Sequence, residues 1–185
     1  MDIEWITVEP GKVFIGSDNR SILFGGIGPR HEVKIDYNYE ISYLPVSSKI
    51  SKKFLESKDC YIASESEWSL AMKRKLIFGN NQVEELSDRI RGSYWSKYCD
   101  GRPFIEDNWL MKVSRTWISE TPSITSIPKG EKSEYVRLVR RLDVEYNDSS
   151  APKLPNSSDK SKLLLEEFMI SLIIGIIPSF IWANF

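Results

Sequence analysis

The chain has 185 residues, a formal net charge of −1 and a hydrophobic share of 41%. This length predicts one domain with an appended segment, and the hydrophobic share is enough for a sizeable core. The near-neutral, mixed charge excludes the basic surface of a nucleic-acid-binding protein, so no nucleic-acid partner is expected. The N-terminal stretch has early acidic residues and no apolar run, so it predicts no signal peptide.

The two cysteines, Cys60 and Cys99, are expected in a reducing cytoplasm. Their simplest interpretation is that each is a small buried hydrophobic residue. A disulfide and a reactive thiol stay open as alternatives.

Alternating apolar and polar residues predict strands in the first part of the chain. The segments "IEWITV" and "KVFIG" flank a turn at Glu9-Pro10-Gly11, and alternation returns in "HEVKIDYNYEISY". The Gly-rich stretch between them is interpreted as a loop. A first helix is predicted after Pro45, with Ile50 and Phe54 on one face.

A second helix is predicted in "YIASESEWSLAMKRK". Ser64 is a suitable N-cap, and Glu67 stands three residues later, where its carboxylate can accept from the N–H of the cap. Glu65 and Glu67 lie in the first turn, where the helix dipole favours acidic residues. Trp68 is predicted to point into the core. We interpret the two glutamates as capping residues, with a metal or catalytic role as the alternative.

Residues 79–134 combine aromatic residues with Gly and Pro, which predicts a long, loop-rich region. Such loops often carry binding specificity. Aromatic residues are favoured in interface hot spots, so partner contact is a hypothesis for these side chains, with a core position as the alternative. The candidates are Trp95, Tyr98, Trp109 and Trp117, with Tyr94 beside them. "EYVRLVRRLDV" is interpreted as a closing strand.

The C-terminal part changes in composition. Residues 147–162 are rich in Ser, Pro, Asn and Lys, which predicts a flexible linker, and residues 163–185 are mostly apolar. The uncharged run from residue 168 onward reaches about 27 Å as a helix, close to the hydrocarbon thickness of ~30 Å, so it predicts a transmembrane tail anchor. A buried core helix is the alternative. The anchor candidates are Phe168, Ile173, Ile174, Gly175, Ile177 and Trp182.

Positive charge on the domain side of the predicted span indicates its orientation. Lys153, Lys160 and Lys162 precede the span, and only uncharged residues follow it. Positively charged residues stay on the cytoplasmic side of a membrane. The sequence therefore predicts a single-pass membrane protein with its domain, residues 1–146, in the cytoplasm.

Several segments in a fixed order resemble the formylglycine-generating enzyme (sulfatase-modifying factor) family. The resemblance covers about residues 4–143 and rests on "VEPGKVFIGSD", "PRHEVKIDYNYEISYLPVSSKISKKFL", "YIASESEWSLAMKRK" and, more loosely, "EYVRLVRR". It implies a C-type-lectin-like α+β fold with two helices, an antiparallel sheet and much loop. His31 matches a family histidine that we interpret as structural. Glu65, Glu67 and Trp68 match the second helix of the family.

The resemblance does not extend to the family's chemistry. The oxidases of this family bind copper through two cysteines about five residues apart, a ligand type that suits Cu(I). Here no cysteine follows Arg140, and the chain has one histidine, whereas the related iron enzymes use several. We therefore expect no cofactor and no catalysis.

Three hypotheses for function follow from this pattern. The first is a non-catalytic, membrane-anchored accessory or regulatory subunit that docks its lectin-like domain on a larger membrane protein complex. The second is a divergent metal- or oxygen-dependent enzyme that uses Cys99 or His31. The third is a sensor whose loops between residues 101 and 130 bind a small molecule or cofactor.

Overall fold

The structure is a computed structural model that describes residues 3–18, 27–50, 52–118, 121–142, 144–156, 165 and 168–183. Within these residues the chain is mixed α and β, with three sheets, three helices and one π-helical turn. The elements, in chain order, are β1 (Trp5–Val8), β2 (Gly11–Ile15), β3 (His31–Ile35), β4 (Tyr39–Ser42), β5 (Val46–Ser47), α1 (Lys52–Ser57), β6 (Tyr61–Ile62), α2 (Glu65–Lys73), β7 (Val83–Ile90), β8 (Met111–Ile118), β9 (Thr121–Pro128), β10 (Tyr135–Val136), β11 (Leu138–Arg141), a π-helical turn (Leu172–Ile176) and α3 (Ile177–Ala183).

The first sheet brings both ends of the domain together. Its strand order is β1-β4-β11-β6, and every neighbouring pair in it is antiparallel. A separate two-stranded antiparallel sheet is formed by β2 and β3. In β3 the predicted alternation is present, because Val33 and Ile35 are fully buried between exposed neighbours.

The second sheet runs through the region that the sequence predicted to be mostly loop. Its order is β5-β10-β7-β8-β9, antiparallel except for the parallel pair β7 and β10. Residues 79–134 therefore contain three strands of eight residues each, and the prediction of a loop-rich region was wrong for these segments. Strand β7, "VEELSDRI", buries Glu84, Glu85 and Asp88. Hydropathy alternation does not reveal a strand whose buried side chains are charged.

The two predicted helices are present. Helix α1 begins at Lys52, somewhat after the predicted start, because residues 46–47 first pair with β10. Helix α2 carries the predicted cap and buries Trp68, Leu70 and Ala71 in the main core cluster.

The Ser- and Pro-rich segment after the domain lies against it for part of its length. The backbone N–H of Cys99 donates to Pro152 O at 2.7 Å, and the N–H of Leu154 donates to Lys97 O at 2.9 Å. The N–H of Ser96 donates to Pro155 O at 3.0 Å. Residues 152–155 of the predicted linker are therefore paired with the loop around residue 97.

The predicted transmembrane helix is wrong. No helix among the described residues is long enough and apolar enough to cross a membrane. The helical residues 168–183 include the π-helical turn and reach about 24 Å at ~1.5 Å per residue, short of the ~30 Å of a hydrocarbon core. The described part of this helix is therefore too short for the predicted span. The anchor candidates on this helix are Phe168, Ile173, Ile174, Gly175, Ile177 and Trp182.

The predicted location as a single-pass membrane protein with a cytoplasmic domain depended on that span. It is therefore wrong for the same reason, since the described helix is too short. The structure shows instead that the apolar side chains of this segment are exposed: Ile174 is 73% and Trp182 is 87% accessible.

Candidate functional site

Helix α2 begins with a complete capping box. Ser64 Oγ accepts from the N–H of Glu67 at 3.1 Å, and Glu67 Oε2 accepts from the N–H of Ser64 at 2.8 Å. Ser64 Oγ also donates to Gly101 O at 2.7 Å, which connects the cap to the loop after β7. The capping prediction is confirmed, and the buried cap fixes the first turn of α2.

The two glutamates of this first turn are fully buried, and an arginine pairs with each. Arg141, from β11, donates to Glu67 from Nε at 2.7 Å and from NH2 at 3.0 Å. Arg115, from β8, binds both carboxylate oxygens of Glu65, one of them from Nε at 3.1 Å. Such two-point pairs fix both partners in orientation. The arginines thus join α2 to both large sheets.

A third buried carboxylate, Glu84 of β7, receives four strong donors. The indole N–H groups of Trp68 and Trp117 donate to it at 2.8 and 2.7 Å. Arg137 donates from Nε at 2.8 Å and from NH2 at 2.6 Å. Glu84 and Arg137 are both inaccessible to solvent, so this carboxylate is a structural centre of the core.

Asp88, at the other end of β7, completes the buried ionic network. Its Oδ1 accepts from Lys97 Nζ at 3.0 Å and from the N–H of Phe104 at 3.0 Å. Its Oδ2 accepts from the N–H of Glu65 at 2.7 Å. Burial raises the pKa of Glu65, although Arg115 opposes this shift. The carboxylate oxygens of Glu65, Glu67, Glu84 and Asp88 thus all accept hydrogen bonds from other groups of the protein.

An open groove of about 330 Å³ lies on the surface beside this network. It is lined by Val13, Phe14, Trp68, Ser69, Met72, Lys73, Arg115 and Pro122. Its residues come from β2, α2, β8 and β9, so four elements of the fold meet there. We call these eight residues the α2 groove.

Arg115 connects the buried network to the α2 groove. Besides Glu65, its NH2 donates to Ser69 Oγ at 2.9 Å, and its guanidinium carbon lies 4.9 Å from the centre of the Trp68 ring. Nε and NH2 are thus used inside the protein, and NH1 makes no hydrogen bond within the described residues. The Arg115 side chain is 14% accessible. Arg115 therefore lines the groove with a guanidinium that Glu65 and Ser69 hold in place.

The four aromatic partner candidates lie in different surroundings. Trp117 is buried, packs edge to face on Trp68 and belongs to the core. Trp109 is half-buried between Arg89 and Lys129, at 5.6 and 4.6 Å from their cationic groups.

Tyr98 is half-buried, with Arg102 and Lys153 at 4.2 and 4.7 Å from its ring. Trp95 is also half-buried. Trp117 is therefore a core residue, and partner contact stays a prediction for Trp95, Tyr98 and Trp109.

The residues weighed for metal chemistry have protein neighbours of their own. Nδ1 of His31 is 2.8 Å from Pro29 O, and the ring packs on Tyr94. Cys99 belongs to the main core cluster and Cys60 to the second cluster, and both are free thiols. In the part of the chain that the structure describes, no group of three His, Cys, Asp or Glu side chains is placed to bind a metal ion.

Sequence analysis singled out Glu65, Glu67 and Trp68 but not the partners that join them into the network and the groove. Glu84, Arg115 and Arg137 meet their partners across 16 to 53 positions of sequence. No local sequence pattern predicts pairs between residues so far apart in the chain. The sequence offered one signal for these residues. The stretch "VEELSDRI" is rich in acidic residues, which is unusual in a loop region that contains many aromatic residues.

No protein-family model, curated protein or solved structure matches this chain. The resemblance to the formylglycine-generating enzyme family therefore stays a prediction.

Proposed function

We propose that the chain is a non-catalytic interaction module, an accessory or regulatory subunit that docks on a larger protein assembly. The observation that carries this proposal is the apolar surface of the helical residues 168–183. Ile174, Phe180 and Trp182 are 73%, 70% and 87% accessible. A helix that is apolar on all sides is normally buried, and large exposed apolar patches mark interaction sites. A partner protein would cover this helix.

The buried ionic network supports the non-catalytic part of the proposal. A general acid or base needs a proton-transfer atom within reach of a substrate. Glu65, Glu67 and Glu84 instead face arginine and tryptophan donors inside the protein. We propose that this chain kept the helix and cap of the family that it resembles and uses the carboxylates for stability.

The test is affinity purification of the tagged full-length chain from its own source, with two matched variants. Ile174→Lys adds a charge to the exposed helix, and Ile105→Lys adds the same charge to a side chain that is 65% accessible elsewhere. We expect a stoichiometric protein partner with the wild type and with Ile105→Lys, and its loss with Ile174→Lys. Recovery of the chain alone, or equal recovery of a partner with both variants, would contradict the proposal.

A further inference from the structure

We propose that the α2 groove binds an acidic, apolar peptide segment of a protein partner. This inference rests on the proposed function, because it names the kind of partner segment that an interaction module would recognise. It concerns a surface other than the exposed C-terminal helix, so each of the two can fail alone.

The first support is the fixed position of Arg115. Its Nε and NH2 atoms bind Glu65 and Ser69, and its guanidinium lies over Trp68. An arginine whose conformation is already fixed loses little entropy when it binds an anion. Since NH1 makes no hydrogen bond within the described residues, it is suited to a carboxylate that enters the groove.

The second support is the charge beside the groove. Glu65 neutralises Arg115, so the pair alone attracts no anion over distance. Lys73 donates to Lys12 O at 3.0 Å, and Arg74 donates to the carbonyls of Glu9 and Pro10 at 2.7 and 2.8 Å. Neither Lys73 nor Arg74 pairs with a carboxylate of the described chain. Among the described residues, the end of α2 thus carries positive charge that no carboxylate compensates, although the whole chain has a net charge of −1.

The third support is the apolar part of the groove. Phe14 is 57% accessible, and Arg30 lies 5.3 Å from the centre of its ring. Met72 and Pro122 line the groove with it. An exposed phenylalanine beside a concave apolar surface gives a large side chain of a partner a place to pack.

The open form of the groove favours a peptide over a small molecule. Small-molecule sites enclose most of the ligand, whereas this groove of about 330 Å³ is open to solvent and extends between separate elements. A segment that carries both acidic and large apolar side chains can reach the cationic end and the apolar part together. Complementary charge of this kind gives specificity and a faster association rate.

The experiment is fluorescence anisotropy with the purified full-length chain. The probe is a fluorescein-labelled peptide of sequence Gly-Asp-Phe-Glu-Leu-Asp-Gly. One control peptide replaces the acids by Asn and Gln, and another replaces Phe and Leu by Ser. Lys73→Glu tests the charge, and Lys58→Glu, exposed at the end of α1, is its matched control. Phe14→Ala tests the apolar contact, and Leu110→Ala, which is 59% accessible, is its matched control.

We expect saturable binding of the acidic, apolar peptide and at least roughly tenfold weaker binding of both control peptides. Lys73→Glu and Phe14→Ala should each weaken binding to a similar degree, while Lys58→Glu and Leu110→Ala leave it unchanged. No saturable binding, or equal loss in test and control variants, would overturn the inference. Displacement of the peptide by 3-phenylpropionate at equal affinity would also overturn it, since the groove would then be a small-carboxylate site.

Failure here leaves the proposed function testable by itself. If the peptide does not bind but the partner is lost with Ile174→Lys, the chain docks through its helix and the groove inference is wrong. If the peptide binds but no partner depends on Ile174, the groove inference stands and the helix is not the docking surface.

Discussion

Trp68 and Trp117 pack edge to face with ring centroids 5.6 Å apart, and both donate their indole N–H to the carboxylate of Glu84. Trp68 lies on α2, and Trp117 lies on β8. One buried charge therefore orients the two largest side chains of the core. Arg137 neutralises that charge from the short link between β10 and β11.

Replacing Glu84 by alanine should destabilise the domain by about 3–5 kcal/mol, because it leaves the Arg137 charge buried without its partner. Two indole N–H groups also lose their acceptor. The free energy of unfolding in urea measures this effect. Glu40→Ala is the control, since the Glu40–Arg140 pair is about one-third accessible and should contribute at most about 1 kcal/mol. Equal losses in the two variants would show that the Glu84 network is not structural.

Replacing Ser64 by alanine should cost roughly 2 kcal/mol of unfolding free energy. The change removes the acceptor for the N–H of Glu67 and the donor to Gly101 O. Thermal or urea unfolding of the purified variant measures the loss. Ser57→Ala is the matched control, because Ser57 is exposed and its Oγ donates only to Phe54 O, one turn earlier. A Ser64→Ala variant as stable as Ser57→Ala would contradict the role of the cap.

The single histidine gives a prediction for pH. Burial lowers the pKa of His31 below its ordinary value of 6.5, with the Pro29 carbonyl opposing and Lys97 adding to the shift. The unfolded chain therefore takes up a proton at a pH at which the folded chain does not, and protonation favours unfolding. This contribution to stability is complete above pH 6.5 and is lost as the pH falls.

The measurement compares unfolding free energies at pH values of about 7.5 and 5.5 for the wild type and His31→Gln. Glutamine can keep a donor toward Pro29 O but does not titrate. We expect the wild type to lose more stability than the variant over this interval. The same slope in both proteins would show that His31 titrates normally.

Sequence reasoning succeeded where the determinant of structure is local. The cap at Ser64 and the inward position of Trp68 follow from residue spacing within one turn of helix, and both are present. The strands near the N-terminus likewise follow from alternation, as in the buried Val33 and Ile35 of β3.

Sequence reasoning failed where burial is made possible by a distant partner. The sequence "EYVRLVRR" predicts a strand but does not reveal that Arg137 is fully buried, because Glu84, 53 positions earlier, neutralises it. Sequence analysis missed strand β7 for the same reason, because the buried side chains of this strand include the charged Asp88. The α2 groove needs Arg115, and nothing in the sequence around Arg115 indicates its pairing with Glu65.

The pairing of residues 147–156 with the domain gives a further prediction. A chain that ends after residue 156 should unfold at the same temperature as the full chain, because the described apolar side chains beyond that point are largely exposed. A chain that ends after residue 146 loses the three backbone hydrogen bonds of Cys99, Leu154 and Ser96 and should be less stable by roughly 2–4 kcal/mol. Calorimetry of the three chains measures both differences. Equal stability of all three would show that the segment is an unattached linker.

The most direct test of the central claim is a native mass spectrum of the full-length chain purified from its own source. An interaction module predicts a stoichiometric complex with another protein, in which this chain carries no copper or iron. A chain that appears alone with a stoichiometric copper or iron, lost with Cys99→Ser or His31→Ala, would contradict the account and make the protein an enzyme.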